Sequence, residues 1–227
     1  MVYFTVSDAW KASYPGASAG VLVLANVTNP AQHAGLEQRK EALQDELRAR
    51  FAGQDRSAIG ALPELQAYER YYRRFKKTYH VQLQLESLVL KGKSIPSVAG
   101  LVESMFMAEL HNLLLTAGHD LERLKLPVHL HVARGRESYV LLRGQEQELK
   151  AEDMYMCDAS GIISSILYGP DQRTQIHPET RQVMFTVYAP PGIEPQAVQH
   201  HLDEIEANVR LIAPQAERCL SQVFVAA

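Results

Sequence analysis

Near Pro127 the spacing of apolar residues changes from a helical to a strand period, and this change restricts the chain to folds that keep helices and strands in separate stretches. Upstream, Leu36, Leu43 and Leu47 recur at helical intervals, whereas Val128, Leu130 and Val132 alternate with His129 and His131. After Pro195 the helical interval returns through Val198, Leu202, Ile205, Val209 and Ile212. Helices, then strands, then a closing helix predict an α+β fold with helices packed on a mainly antiparallel sheet, not a doubly wound parallel sheet.

The 227 residues are 46% apolar, enough for a substantial core. Without a Gly/Ser-rich or Pro-rich linker, a repeat or long blocks of like charge, residues 1–227 are expected to form one domain. A net charge of −3 argues against a dedicated high-affinity nucleic-acid binder but leaves room for a local basic patch. The N-terminal MVYFTVSDAW has neither the basic leader nor the apolar core of a secretory signal, and no segment has the length of a membrane span. A cytoplasmic location with no membrane partner is therefore expected. Cys157 and Cys219 lack metal-ligand spacing and are expected to be buried thiols, the first on a strand and the second on a helix.

The early elements read as a strand at 3–6, a helical turn after Ser7 and a strand at 20–27. Asn29-Pro30 has N-cap and N1 chemistry and predicts a helix running from there to about Phe51. Further helices are expected over 63–79, 83–91 and 98–115. In the last of these, Val98, Leu101, Val102, Met105, Phe106 and Leu113 would share an apolar face, with Glu109 and Asn112 on the same side. Strands are expected near 139–142, 154–157, 162–168 and 182–188, all within the one sheet that begins at Val128.

The stretch from Lys91 to Asp120 joins Ile95-Pro96, Leu101-Val102-Glu103 and His119-Asp120, and it is followed by Val132-Ala133-Arg134 and Glu137-Ser138-Tyr139. In this order the pieces resemble the editing domain of the phenylalanyl-tRNA synthetase β subunit, called B3/B4, over about residues 73–189. The resemblance implies the B3/B4 fold and hydrolysis of the ester joining a wrong amino acid to tRNA. It implies no cofactor, because an ester with an alkoxide leaving group can be hydrolysed by a positioned water. Carried across, it makes His119 and Asp120, in a polar loop, and Thr186, on the last strand, the catalytic candidates. Glu86, Ser87, Glu103, Tyr168 and Gly169 become the substrate-binding candidates. Phe106 stands where the family has Asn.

Arg70, Arg73, Arg74, Lys76 and Lys77, interleaved with Tyr68, Tyr71, Tyr72 and Phe75, form the one local concentration of positive charge, and Arg70, Arg73, Arg74 and Lys77 would share a helix side. Such a stripe can meet RNA phosphates, or it is an ordinary solvated face. His129, His131, Glu137 and Gly144 approximate a cupin metal motif, but the spacing is long and the second half-motif is missing, so no metal is expected. The expected partner is tRNA, in aminoacylated form, and not DNA. With no ATP site or activation motif in view, the chain is not expected to charge tRNA. The readings that remain are a trans-editing deacylase, a non-catalytic RNA-binding or amino-acid-sensing module with the same fold and, weakest, a cupin-like metalloenzyme.

Overall fold

In the computed structural model, which describes residues 2–227, the strands divide between two main sheets that share one interior. The chain runs β1 (Phe4–Val6), α1 (Asp8–Ser13), β2 (Ser18–Ala25), α2 (Ala34–Arg50), α3 (Arg56–Gly60), α4 (Pro63–Arg74), α5 (His80–Val89) and α6 (Gly100–Asn112). It continues through β3 (Leu115–Asp120), β4 (Val128–Val132), β5 (Ser138–Val140), β6 (Glu146–Glu148), β7 (Met154–Asp158), β8 (Gly161–Ser165), β9 (Gly169–Pro170), β10 (Gln182–Ala189), α7 (Pro195–Ile212) and β11 (Glu217–Val225). One sheet has the order β1-β4-β7-β8-β9 and the other β11-β2-β10-β3, while β5 and β6 form a separate hairpin. All pairings are antiparallel except β1 with β4. The α+β expectation therefore holds.

The four-stranded sheet is covered on both faces. Tyr188 of β10 reaches Ser164 of β8 with its hydroxyl at 2.7 Å, which turns that face toward the five-stranded sheet. On the opposite face α7 lies so close that a Cβ on Gly20 would come within 2.7 Å of Val198. A side chain at this position in β2 would push into α7, which explains a glycine just before the Val-Leu-Val-Leu run of the strand. One continuous buried cluster draws on Trp10, Leu36, Ile59, Tyr68, Val81, Leu101, Val198 and the inner residues of both sheets.

Several local expectations are corrected. Asn29 does not start α2, which begins at Ala34 after His33. Its Oδ1 instead accepts from the backbone N–H of Leu101 at 2.9 Å, and Pro30 O accepts from Gly100 N at 2.9 Å, so the capping chemistry serves the first turn of α6. Helix α4 stops at Arg74 because Lys76 takes a left-handed conformation (φ 56°). Residues 56–60 form the short helix α3, which periodicity over so few residues did not reveal. Helix α5 starts three residues earlier than expected.

The largest correction concerns 98–115. Helix α6 ends at Asn112, Leu113 is left-handed (φ 61°), and residues 115–120 form a fully buried strand. The apolar run Leu113-Leu114-Leu115 is compatible with either a buried strand or a helix, so its periodicity could not arbitrate. The buried face of α6 is also rotated: Leu101, Ser104, Met107 and Ala108 are buried, whereas Val98 is exposed and precedes the helix. The segment 182–188 is a strand as expected but belongs to the other sheet. The chain does not close on α7, since β11 follows and pairs with β2. Cys219 lies on that strand and is exposed, and Cys157 is only half-buried. Exposed edge strands alternate little in polarity, and so β11 resembled the end of a helix.

Candidate nucleic-acid interface

Helix α4 separates the two components of the basic aromatic run. Its tyrosines face inward, and each hydroxyl finds an acceptor: Tyr68 donates to Tyr188 O at 2.5 Å, Tyr72 to Ile166 O at 2.5 Å, and Tyr71 to the Asp153 carboxylate at 2.9 Å. These bonds pin the helix across the ends of both sheets and force its arginines outward. Where the helix stops, the turn at Lys76 carries Lys77 to a position over the Tyr168 ring, 4.3 Å from its centroid. Burial holds the Lys77 ammonium below the usual lysine range, reinforced by nearby Lys150 and opposed by Asp153.

Beside this turn, α3, α4 and α5 enclose a cleft of about 770 Å³. Arg56, Arg73 and Lys77 line it together with Gln66, Gln82, Ser57 and Thr78, and Glu69 is the single carboxylate in the lining. Asp55 caps α3 by accepting from Ala58 N at 2.8 Å. The buried Glu86 of α5 receives Arg56 Nε at 3.0 Å and Gln82 Nε2 at 2.9 Å, so it orients a cleft cation from behind. Arg56 was not recognised in the sequence, where nothing links an isolated arginine to a stripe fourteen or more residues away.

The five cations of the run do not act as one stripe. Arg73 and Lys77 enter the cleft. Arg70 and Arg74 line a smaller groove of about 260 Å³ with Tyr14, Pro190 and Pro191, and Arg74 is paired with Glu152 at 2.6 Å. Lys76 is exposed.

The remaining candidates are dispersed. His119 and Asp120 lie on β3, not in a loop, and both are fully buried. His119 is opposite Met184 and Ala117 is opposite Thr186, so His119 and Thr186 point to the same face, toward the five-stranded sheet. His119 Nδ1 is 2.8 Å from Thr174 Oγ1, which also bonds Asp171, while Nε2 has no partner. Burial, with a contribution from Arg173, pushes His119 down to about 3, and the ring is neutral at any ordinary pH. Asp120 accepts from Thr180 at 2.7 Å and meets His177 Nε2 at 2.7 Å, a partner the sequence did not suggest. Thr186 has only a 3.4 Å bond to Ala117 O.

Among the substrate-binding candidates, Glu103 is buried against Lys40 Nζ at 3.0 Å and accepts from Val98 N at 2.7 Å. Ser87 returns its hydroxyl to Leu83 O at 2.8 Å and lines a second, apolar groove between α5 and α6. Tyr168 carries the Lys77 contact, and the adjacent Gly169 accepts from the Tyr139 hydroxyl at 2.7 Å. Glu109 accepts from Thr116 N at 2.6 Å, and its burial pushes it up to about 8. His129 and His131 share a strand face with rings 6.0 Å apart, but Glu137 turns to the backbone N–H groups of Arg134 and Arg136. Among the described residues, no group of three or more His, Cys, Asp or Glu side chains is arranged to hold a metal. No helix is long and apolar enough to cross a membrane.

Among solved structures, an N-terminal fragment of the phenylalanyl-tRNA synthetase β subunit from Pyrococcus horikoshii aligns with a TM-score of 0.48 at 12% identity. The alignment covers 98% of this chain and 50% of that one, so this chain spans about half the length of the solved fragment. No curated protein matches. The B3/4 domain profile matches residues 66–210, from α4 through nearly all of α7 and therefore well over half of the sequence: the chain belongs to the B3/4 domain family.

Proposed function

We propose that this chain binds tRNA through the cleft between α3, α4 and α5. The observation that carries the reading is the convergence of Arg56 from α3 with Arg73 and Lys77 from the end of α4 and its following turn on one cavity of about 770 Å³. In a chain of net charge −3, three cations facing one concavity make a local field suited to a phosphate backbone. Family membership supports tRNA as the nucleic acid, since the motifs resemble those of a synthetase editing domain. Filter binding of tRNA, and of duplex DNA of equal length, across a salt series tests this. Salt-dependent binding that favours tRNA is expected, and equal, weak binding of both would refute it.

Deacylation of mischarged tRNA is a second reading, favoured by one observation: His119 is a neutral imidazole whose Nε2 has no protein partner. Such a nitrogen can accept a hydrogen bond from a water and orient it, provided that opening of the β3 region admits one. Hydrolysis by the wild type over a panel of misacylated tRNAs would support it. Binding without hydrolysis assigns the chain to the non-catalytic class.

A further inference from the structure

The apolar groove between α5 and α6, about 370 Å³, falls in the size range of small-molecule sites, roughly 300–1,000 Å³. Leu83, Leu88, Ile95 and Phe106 line it, and Leu83 is 41% exposed although it is a large apolar residue. Polar residues interrupt these walls, His80, Ser87 and Ser94 together with Gln84 and Lys93. Gln84 lines the groove, and its Oε1 is buried with no hydrogen-bond partner. A buried acceptor without a donor is costly, and a ligand N–H would remove that cost. Lys93 supplies a cation. Its backbone is fixed by bonds from its N–H to Ser87 O at 3.0 Å and from Arg48 to its carbonyl at 3.4 Å, and the residue, itself exposed, stands in the groove's lining.

An apolar body, a cation for a carboxylate and an acceptor for a neighbouring N–H together describe one ligand chemistry. We propose that this groove binds a free α-amino acid with an apolar side chain, its carboxylate on the Lys93 ammonium and its amino group on Gln84 Oε1. A plain fatty or aromatic acid would leave Gln84 unpaired, and an ester-linked amino acid would leave Lys93 without its counter-charge. The inference goes beyond tRNA binding and does not require it, because the groove and the basic cleft have no lining residue in common.

Isothermal titration of the full chain with L-leucine, L-phenylalanine, L-aspartate, L-leucinamide and 4-methylpentanoate tests the assignment. The two apolar amino acids should bind and aspartate should not. Leucinamide, without the carboxylate, and 4-methylpentanoate, without the amino group, should each bind about tenfold more weakly than leucine. Gln84→Leu should weaken leucine about tenfold and leave 4-methylpentanoate unchanged. Should that variant not fold by circular dichroism, Lys93→Met, on an exposed loop, should abolish the preference for leucine over leucinamide. Three results would each overturn the proposal: no binding of leucine or phenylalanine at millimolar concentration, unchanged leucine affinity in folded Gln84→Leu, or leucinamide binding as tightly as leucine. In the last case the groove takes an aminoacyl group and not a free acid. Loss of tRNA binding, by contrast, would leave the amino-acid titrations unaffected.

Discussion

His119 and Asp120 are consecutive in the chain, yet they hold different partners, His119 at Thr174 and Asp120 at His177 and Thr180, because successive residues of β3 point to opposite faces of the sheet. The loop carrying those three partners wraps around the strand edge and bonds it directly, with Asp120 N donating to Thr174 O at 2.8 Å. The two side chains are therefore structural supports on either side of one strand and cannot form an acid–base pair with each other.

His119→Ala should accordingly destabilise the fold. It empties a fully buried volume and removes the Nδ1 partner of Thr174 Oγ1, at a cost of about 2–4 kcal/mol in urea denaturation. Thr186→Val should cost less than about 1 kcal/mol, since it keeps the β-branched shape and gives up only one long bond. Equal losses in the two variants would contradict this placement of His119.

Replacing Arg56, Arg73 and Lys77 together by Ala should weaken tRNA binding and flatten the dependence of log K on log salt by about 2–3, on the basis of roughly 0.7–0.9 per phosphate contact. Arg70→Ala with Arg74→Ala, which removes charge from the neighbouring groove, should change the slope less, because Arg74 is already paired with Glu152. The reverse ranking would move the interface to the Tyr14 side of α4.

The Lys40–Glu103 pair is enclosed on all sides, with side-chain exposures of 4% and 3%. Glu103→Ala should cost about 2–3 kcal/mol, because it leaves the Lys40 ammonium with only Glu37 and Ser97, each at 2.8 Å, and leaves Val98 N without its acceptor. Lys40→Met with Glu103→Leu should recover much of that loss. A small effect of Glu103→Ala on stability, coupled with a large one on ligand binding, would instead return Glu103 to a pocket role.

Glu109 should make stability fall as pH rises from about 4.5 to about 8. Its folded-state pKa is raised from 4.5 to about 8 by burial, so its contribution is complete below pH 4.5 and is lost as pH rises through about 8. His119 has the opposite sign. Its folded-state pKa is depressed from 6.5 to about 3, so its contribution is present above pH 6.5 and is lost as pH falls toward 3. Glu109→Gln should flatten the decline in unfolding free energy between about pH 5 and 8, measured by urea titration at each pH. An unchanged slope would place the responsible groups elsewhere.

The α+β class, the major helices and most strands were legible because their apolar spacing extends over many residues. What the sequence concealed depended on long-range contacts. Asn29 has true capping chemistry, but the helix it caps begins about seventy residues later. Leu115 reads as the end of a helix and His119-Asp120 as a polar loop, because a strand buried on both faces has no alternation to reveal it. The basic run was visible as composition, yet Arg73 and Arg74 already turn to different grooves within α4, and Lys77 follows a left-handed residue, Lys76, whose type gives no warning of it. Arg56 joined the cleft only once α3 was placed against α5.

The four-stranded sheet takes its strands from residues 18–25, 115–120, 182–189 and 217–225, and its outer strand β11 pairs with the earliest of these, β2. Its completion therefore depends on closing a loop that encompasses most of the chain, the kind of topology in which ordering entropy is lost long before the compensating contacts form. During synthesis β2 would emerge early and lack both neighbours for most of translation, with its Val- and Leu-rich edges unpaired until β10 and then β11 arrive. Slow folding and vulnerability of the nascent chain to aggregation are thus built into the strand order, and expression at reduced temperature or with chaperones should raise the soluble yield.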